Sequence, residues 1–374
     1  MALVVAASLF VYLLKSGGKP AALFVIGIAM GIALYHASFG FTGAYRRAIV
    51  EKDIAGVSAQ MIMITAAMLL FAPILARGDI FGQVVVGAVA PVSVSMAFGA
   101  LIFGIGMQLG GGCGSGTLYT VGGGNLRMIV VLIFFCLGGF WGSLDLEWWS
   151  KLPGVGNVSL GERLGWVSAI ALQSFALALI YLVLRRLGAR NKRPLWPDGG
   201  ISWARLLHGP WPLLLSAGLL ALLNWATLLV AGHPWSITWA FTLWGAKAAM
   251  AMDWNPATSG FWSGGFPNNA LGRPVLEDTT SIMDIGIVCG AFVAASLAGK
   301  VMPNSSIPAR SLLAAMIGGL LLGYGARLAY GCNIGAFFSG VASTSLHGWV
   351  WILFGIIGNV IGVRLRPFFG LSKY

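Results

Sequence analysis

The chain has 374 residues, of which 58% are hydrophobic and only 9% charged. A soluble domain carries roughly 25% charged residues, so this composition cannot cover a water-facing surface. It excludes a nucleic-acid binder, a secreted disulfide scaffold and a cytosolic enzyme. At about 20 apolar residues per span, the length allows on the order of ten membrane helices. The expected fold is an all-α polytopic membrane protein, a single membrane domain over 1–374 in a lipid bilayer.

Met1 to Leu14 is apolar and is followed, not preceded, by Lys15 and Lys19. A secretory signal has the reverse order, so this segment reads as a short first membrane helix with its far end cytoplasmic. Further apolar blocks lie near 21–38, 57–76, 83–108, 128–143, 164–184, 211–231, 235–252, 282–299, 311–330 and 348–363.

The net charge of +12 comes from 23 basic and 11 acidic residues, and the basic ones fall mainly between these blocks. Arg185 to Arg193 holds five positive charges within nine residues, continuing to Arg205, and the positive-inside rule makes it cytoplasmic. The 144–163 loop, with Asp145, Glu147 and Glu162, then sits outside, and Arg364, Arg366 and Lys373 put the C-terminus inside. Any positive excess facing the interior would favour an anion.

Two segments match 219 residues apart. Gly104-Ile-Gly-Met-Gln-Leu-Gly-Gly-Gly-Cys-Gly-Ser-Gly116 and Gly323-Tyr-Gly-Ala-Arg-Leu-Ala-Tyr-Gly-Cys-Asn-Ile-Gly335 share G-x-G-x-x-L-x-x-G-C-x-x-G. A weaker echo pairs Ser38-Phe-Gly40-Phe41-Thr-Gly43 with Thr258-Ser-Gly260-Phe261-Trp-Ser-Gly264. Such matches imply duplication. Repeat one runs over about 20–145, connecting helices over about 146–234 and repeat two over about 235–366. Charge places the two repeat starts on opposite sides, so the repeats are expected to be inverted. Such repeats hold a substrate site near the midplane.

Glycine at this density disfavours a continuous helix, and irregular backbone at membrane depth survives only where protein or water covers it. Broken or re-entrant helices are therefore expected at Gly112-Cys113-Gly114 and Gly331-Cys332-Asn333. A helix N-terminus there suits an anion, and the two cysteines would face each other. The alternative is that glycine serves close helix packing and cysteine fills space. Cys136 and Cys289 lack repeat partners and read as packing residues. With no C-x-x-C pair and four scattered histidines (His36, His208, His233, His347), neither a disulfide framework nor a metal centre is expected.

Other polar groups interrupt apolar stretches. Lys247 is a functional candidate, or else it snorkels to the interface or pairs with Asp253. Arg327, five residues before Cys332, corresponds to Gln108 before Cys113. It could lend positive field to the site or satisfy carbonyls at a helix end. His347 reads as an interface histidine, and the tryptophans mostly as belt and packing residues.

At Gly112-Cys113-Gly-Ser-Gly-Thr-Leu-Tyr119 and Gly325-Ala-Arg-Leu-Ala-Tyr-Gly-Cys332-Asn-Ile-Gly-Ala-Phe-Phe338 the chain resembles the YeeE/YedE family of bacterial inner-membrane proteins, which includes thiosulfate uptake transporters. The second stretch, with Ser345-Leu-His-Gly348, looks closer to the selenium-associated YedE branch. The resemblance implies a monomeric, duplicated transporter that hands thiosulfate along cysteines by S–H hydrogen bonds. Two of the family's three path cysteines match, Cys113 and Cys332, and Gly40 stands where the third belongs.

The expected function is therefore uptake of a small sulfur-containing anion, with thiosulfate first. Alternatives are a selenium compound or another small sulfur species, or a thiol/persulfide relay delivering sulfur to a cytosolic carrier protein. The relay needs a base or resolving thiol that no motif places. No enzyme activity, cofactor or ATP site is expected.

Overall fold

A computed structural model describes residues 2–197, 202–301 and 307–373. The part of the basic stretch at 198–201 lies outside the described residues. In hydrocarbon every backbone polar group needs an internal partner, and helices supply it within one segment. The chain accordingly folds as helices: α1 (Ala2–Ser16), α2 (Gly18–Ala37), α3 (Phe41–Glu51), α4 (Ala55–Arg77), α5 (Val94–Gly110), α6 (Gly114–Gly122), α7 (Leu126–Leu144), α8 (Leu146–Trp149), α9 (Leu160–Leu164), α10 (Trp166–Arg186), α11 (Trp203–His208), α12 (Leu213–Ala231), α13 (Thr238–Met250), α14 (Gly265–Gly272), α15 (Thr279–Leu297), α16 (Ala309–Leu328), α17 (Ser339–Ala342) and α18 (Leu346–Leu365). Among the described residues, nine helical stretches are long and apolar enough to cross a membrane. The protein is a multi-pass membrane protein.

Two apolar blocks depart from expectation. The 83–108 block does not begin as helix: residues 83–93 are non-helical, and their last three, β1 (Pro91–Ser93), pair antiparallel with β2 (Gly154–Asn157). Pro91 offers no N–H to a helix, and Ser93 then caps α5 by accepting the Met96 N–H at 3.2 Å. The 235–252 block forms only the 13 residues of α13, about 20 Å by helical rise, which is too short to span. The first helix, α1, has 15 residues and also falls short of the roughly 30 Å hydrocarbon core.

Helix directions follow from glycine contacts. Gly99 lies against Gly325 and Leu328, while Gly106 and Gly110 lie against Gly318 and Leu322, so α5 and α16 are antiparallel. Gly138 meets Leu320, and Gly142 meets Tyr324 and Arg327, so α7 runs parallel to α16. Gly358 meets Leu101, and Gly362 meets Ile105, so α18 runs parallel to α5. A Cβ on Gly323 would strike the Phe135 carbonyl, and one on Gly104 the Gly355 carbonyl. Here small residues bring backbones together, as dispersion requires where lipid offers no hydrophobic drive.

One face of the bundle gathers the basic loops. Asp53, in the α3–α4 turn, accepts from Arg193 at 2.9 Å, and Ile54 N–H reaches the Arg190 carbonyl at 3.0 Å. The broken end of α5 leaves orphan carbonyls, and cations satisfy them. Arg366 donates to Gln108 O at 2.6 Å, and Arg127 to Leu109 O at 2.7 Å and to Gly110 O. Part of the positive excess is thus consumed by backbone.

Candidate functional site

The two cysteines have nearly the same backbone angles. After α5 the chain passes through Gly111 at φ 89° and reaches Cys113 at φ −98°, ψ −165°. After α16 it passes through Tyr330 at φ 57° and Gly331 at φ 144°, reaching Cys332 at φ −108°, ψ −166°. Each cysteine then opens a new helical segment. Cys113 opens α6, and Cys332 opens a π-helical turn, Asn333–Phe338, that runs into α17. The next helices start one residue out of step with the 219 offset, at Leu126 and Leu346. The wider π-turn absorbs that extra residue.

Both thiols are fully buried. Cys113 Sγ lies 3.5 Å from Ser115 Oγ, with the backbone N–H groups of Gly116 and Phe41 also in reach. Cys332 Sγ accepts from the Ile334 N–H at 3.4 Å. Gly114 brings the loops together, because a Cβ there would stand 3.0 Å from Cys332 Sγ and 3.2 Å from Ile237 Cγ2. The neighbouring glycines sit where space is tight. A Cβ on Gly112 would meet Met128 Cε at 2.7 Å, and one on Gly331 would meet Ala336 N at 2.8 Å. Gly40 caps the start of α3, and a Cβ there would stand 3.0 Å from Tyr119 Oη. Asn333 Nδ2 donates to Tyr45 Oη at 3.3 Å. Three buried acceptors in this region have no partner: Thr42 Oγ1, Gln108 Oε1 and Asn333 Oδ1.

Lys247 and Arg327 lie apart from the thiols. Lys247 is ten residues along α13 from Ile237, about 15 Å by helical rise. Its ammonium donates to Leu271 O at 2.8 Å and Arg273 O at 2.6 Å, not to Asp253. Arg327 sits with its guanidinium 4.6 Å from the Phe261 ring centre and its stem against Gly142. Its sequence counterpart Gln108 reaches inward, donating to Asn359 Oδ1 at 2.7 Å and Thr42 O at 3.2 Å. Thr258 to Gly264 is not placed like Gly40, for it forms a turn region around buried Trp262. Ser236 and Ile237, at the start of α13, stand instead beside Gly335 and Gly114.

Four groups escaped the sequence reading: the Phe41 N–H, Ser236, Ile237 and Asp284. The last lies inside the 282–299 block, fully buried, and gives Cys136 an acidic neighbour. Its charge in an apolar run was the available signal. The other three have no signal in a single chain, since proximity across folds leaves none.

A family model described as sulphur transport matches residues 36–361. The chain belongs to that family, the YeeE/YedE family. It is 27% identical over 353 residues to the thiosulfate transporter TsuA of Spirochaeta thermophila, covering 90% of this chain and 95% of that protein. It is 24% identical over 364 residues to the thiosulfate transporter TsuA of Escherichia coli, covering 89% and 91% respectively. A probable transporter YedE of Escherichia coli is 32% identical over 179 residues, which cover 46% of this chain and 42% of that protein. These relatives are named as transporters, not enzymes.

Proposed function

We propose that the protein takes up a small sulfur-containing anion, most directly thiosulfate, through the constriction where Gly114 meets Cys332. The observation that carries this reading is the near-identical backbone at Cys113 and Cys332, which brings two buried thiols and their amides to one place. Stripping an anion of water costs several kcal/mol unless donors replace it. S–H groups, the amides of Phe41 and Gly116, and the start of α6 supply such donors. The thiosulfate named for two full-length relatives supports the choice of solute.

The antiparallel packing of α5 and α16, with α18 on one and α7 on the other, supports an inverted duplication. In this reading the first repeat begins at α2. The second begins at α12, earlier than the sequence echo suggests, so that α3 and α13 are paired short helices. The basic face is cytoplasmic by the positive-inside rule, which puts the C-terminus inside a bacterial inner membrane. The protein acts as a monomer, and a cytosolic sulfur carrier could receive the solute there. Moving negative charge inward works against the membrane potential, at about 2.3 kcal/mol per charge per 100 mV.

A second reading, transport of another small sulfur or selenium species, is favoured by glycine at position 40 in place of a third thiol. Sulfur-limited growth on a panel of sulfur sources tests both. Rescue by thiosulfate, lost in Cys113→Ala, supports the first reading. Rescue only by other solutes supports the second, and no rescue on any solute defeats both.

A further inference from the structure

Asp284 is the one fully buried carboxylate among the described residues that lacks any hydrogen-bond partner on both oxygens. It stands on the second turn of α15. Val288 and Ala291, further along that face, pack against Gly122 of α6, so this side of α15 is turned toward the helix that Cys113 opens. Cys332 and Cys136 both lie within electrostatic range of its carboxyl. No cation answers it. Asp278, on the preceding turn, is bound to Ser281 and Trp239. Lys247 of α13 is held by backbone carbonyls. The titratable groups of α2 are Lys19 at one end and Tyr35 and His36 at the other, and α6 offers Tyr119. Of the outer helices, α1 carries Tyr12 and Lys15, and α11 carries Arg205 and His208.

An ionised carboxylate without partners in such a place is costly and the neutral acid is favoured. The group therefore holds a proton readily and gives it up only when a step of transport drives the loss. An ionisable group at membrane depth is a functional candidate by default. A carboxylate within electrostatic range of Cys332 would also repel an incoming anion. We propose that Asp284 is the proton-binding site that couples anion uptake to a proton gradient. An external proton forms the O–H bond on Asp284 and lets the anion occupy the neighbouring constriction. That bond breaks toward the cytoplasmic side after the anion has left, and no other bond changes. The proton offsets part of the charge moved against the membrane potential. This inference rests on the uptake reading.

The test uses the full chain in proteoliposomes with radiolabelled thiosulfate. Wild type should take up the label by counterflow. Its accumulation ratio should rise about tenfold per pH unit of inward proton gradient for each coupled proton, with lumenal acidification. Asp284→Asn should keep counterflow and lose both the gradient response and the acidification. A retained gradient response in Asp284→Asn overturns the proposal, and so does loss of counterflow in a variant that elutes as wild type. Should Asp284→Asn not fold, Asp284→Glu should keep the response with a displaced pH midpoint, and an unmoved midpoint overturns the proposal. Infrared spectroscopy separates this from the uptake reading. Without any thiosulfate counterflow in wild type, uptake of that solute fails. The carboxylic-acid band that is present in wild type, titrates with pH and is absent in Asp284→Asn still supports the proton site. A missing or pH-invariant band overturns it.

Discussion

Cys113 and Cys332 are held at nearly the same backbone angles, with different surroundings. Gly111 takes the left-handed position in the first loop and Tyr330 in the second, at φ 57°. That conformation is uncommon for a residue with a Cβ. Gly114 leaves room in the first, where Asn333 fills it and reaches Tyr45 in the second. A regular helix follows Cys113, and a π-turn follows Cys332. Upstream, Gln108 turns inward and Arg327 packs on Phe261. The shared part, the backbone angles at the two cysteines, sets the direction of the thiols. The differing part shapes the space beside them, so on the proposed path the backbone handles charge and the side chains handle size and identity.

The largest expected effect comes from removing the shared chemistry. Cys113→Ala or Cys332→Ala should each lower uptake by about ten- to a hundredfold, the worth of one hydrogen bond to a charged group. Cys136→Ala and Cys289→Ala, at partly buried positions, should leave uptake near wild type. Expression and elution profiles should match in all four. Equal losses at all four would show that the cysteines serve folding.

The next effect probes the difference. Gly114→Ala places a methyl 3.0 Å from Cys332 Sγ, whereas Gly335→Ala finds its nearest neighbour, Ser236 Oγ, at 3.5 Å. The first is tighter than ordinary contact and the second is not. Uptake should therefore fall severalfold in Gly114→Ala and little in Gly335→Ala, as measured by initial rates. Equal rates would mean that the constriction lies elsewhere.

How much of this was readable beforehand divides along the same line. Apolar runs and charge placement announced a helical membrane bundle, and identical spacing around Cys113 and Cys332 announced two like loops. Periodicity could not show that 83–93 is non-helical, because short apolar runs look alike in strand and helix. Nor could it show that α13 is too short to span, since Ala251 and Met252 continue the apolar run past Met250. The assignment of Lys247 and Arg327 to the site followed charge without direction. Each side chain finds carbonyls or an aromatic ring on its own flank instead. Ser236 and Ile237 reach the second loop only through tertiary packing.

A smaller effect concerns specificity. Gly40 has ordinary extended geometry, φ −127°, ψ 136°, so a side chain needs only a slight shift of the Tyr119 hydroxyl. Gly40→Cys should be tolerated and should raise preference for thiosulfate over other small sulfur solutes in competition uptake. If wild type already takes thiosulfate well and the preference is unchanged, the third thiol is dispensable.

The smallest effect separates the two short helices. In the first half, the turn after α3 is held by an ionised pair, Asp53 with Arg193. In the second half, α13 is held by Lys247 on neutral carbonyls. Burial acts to raise the Asp53 pKa, but the Ala55 amide, the Arg193 guanidinium and the Lys192 amide overcome it and hold the carboxyl below its usual range. A depressed folded-state pKa contributes stability above the unfolded value, and that stability is lost as pH falls through the folded one. Acid should therefore loosen the α3 side first, beginning below about pH 4. Asp53→Asn removes one charged partner and should cost about 1–3 kcal/mol at neutral pH. It should also flatten the acid limb of the melting temperature in detergent, with uptake barely changed. Lys247→Met should lower the melting temperature without altering that acid limb. An acid limb unchanged in Asp53→Asn would remove the ion pair as the source of the asymmetry.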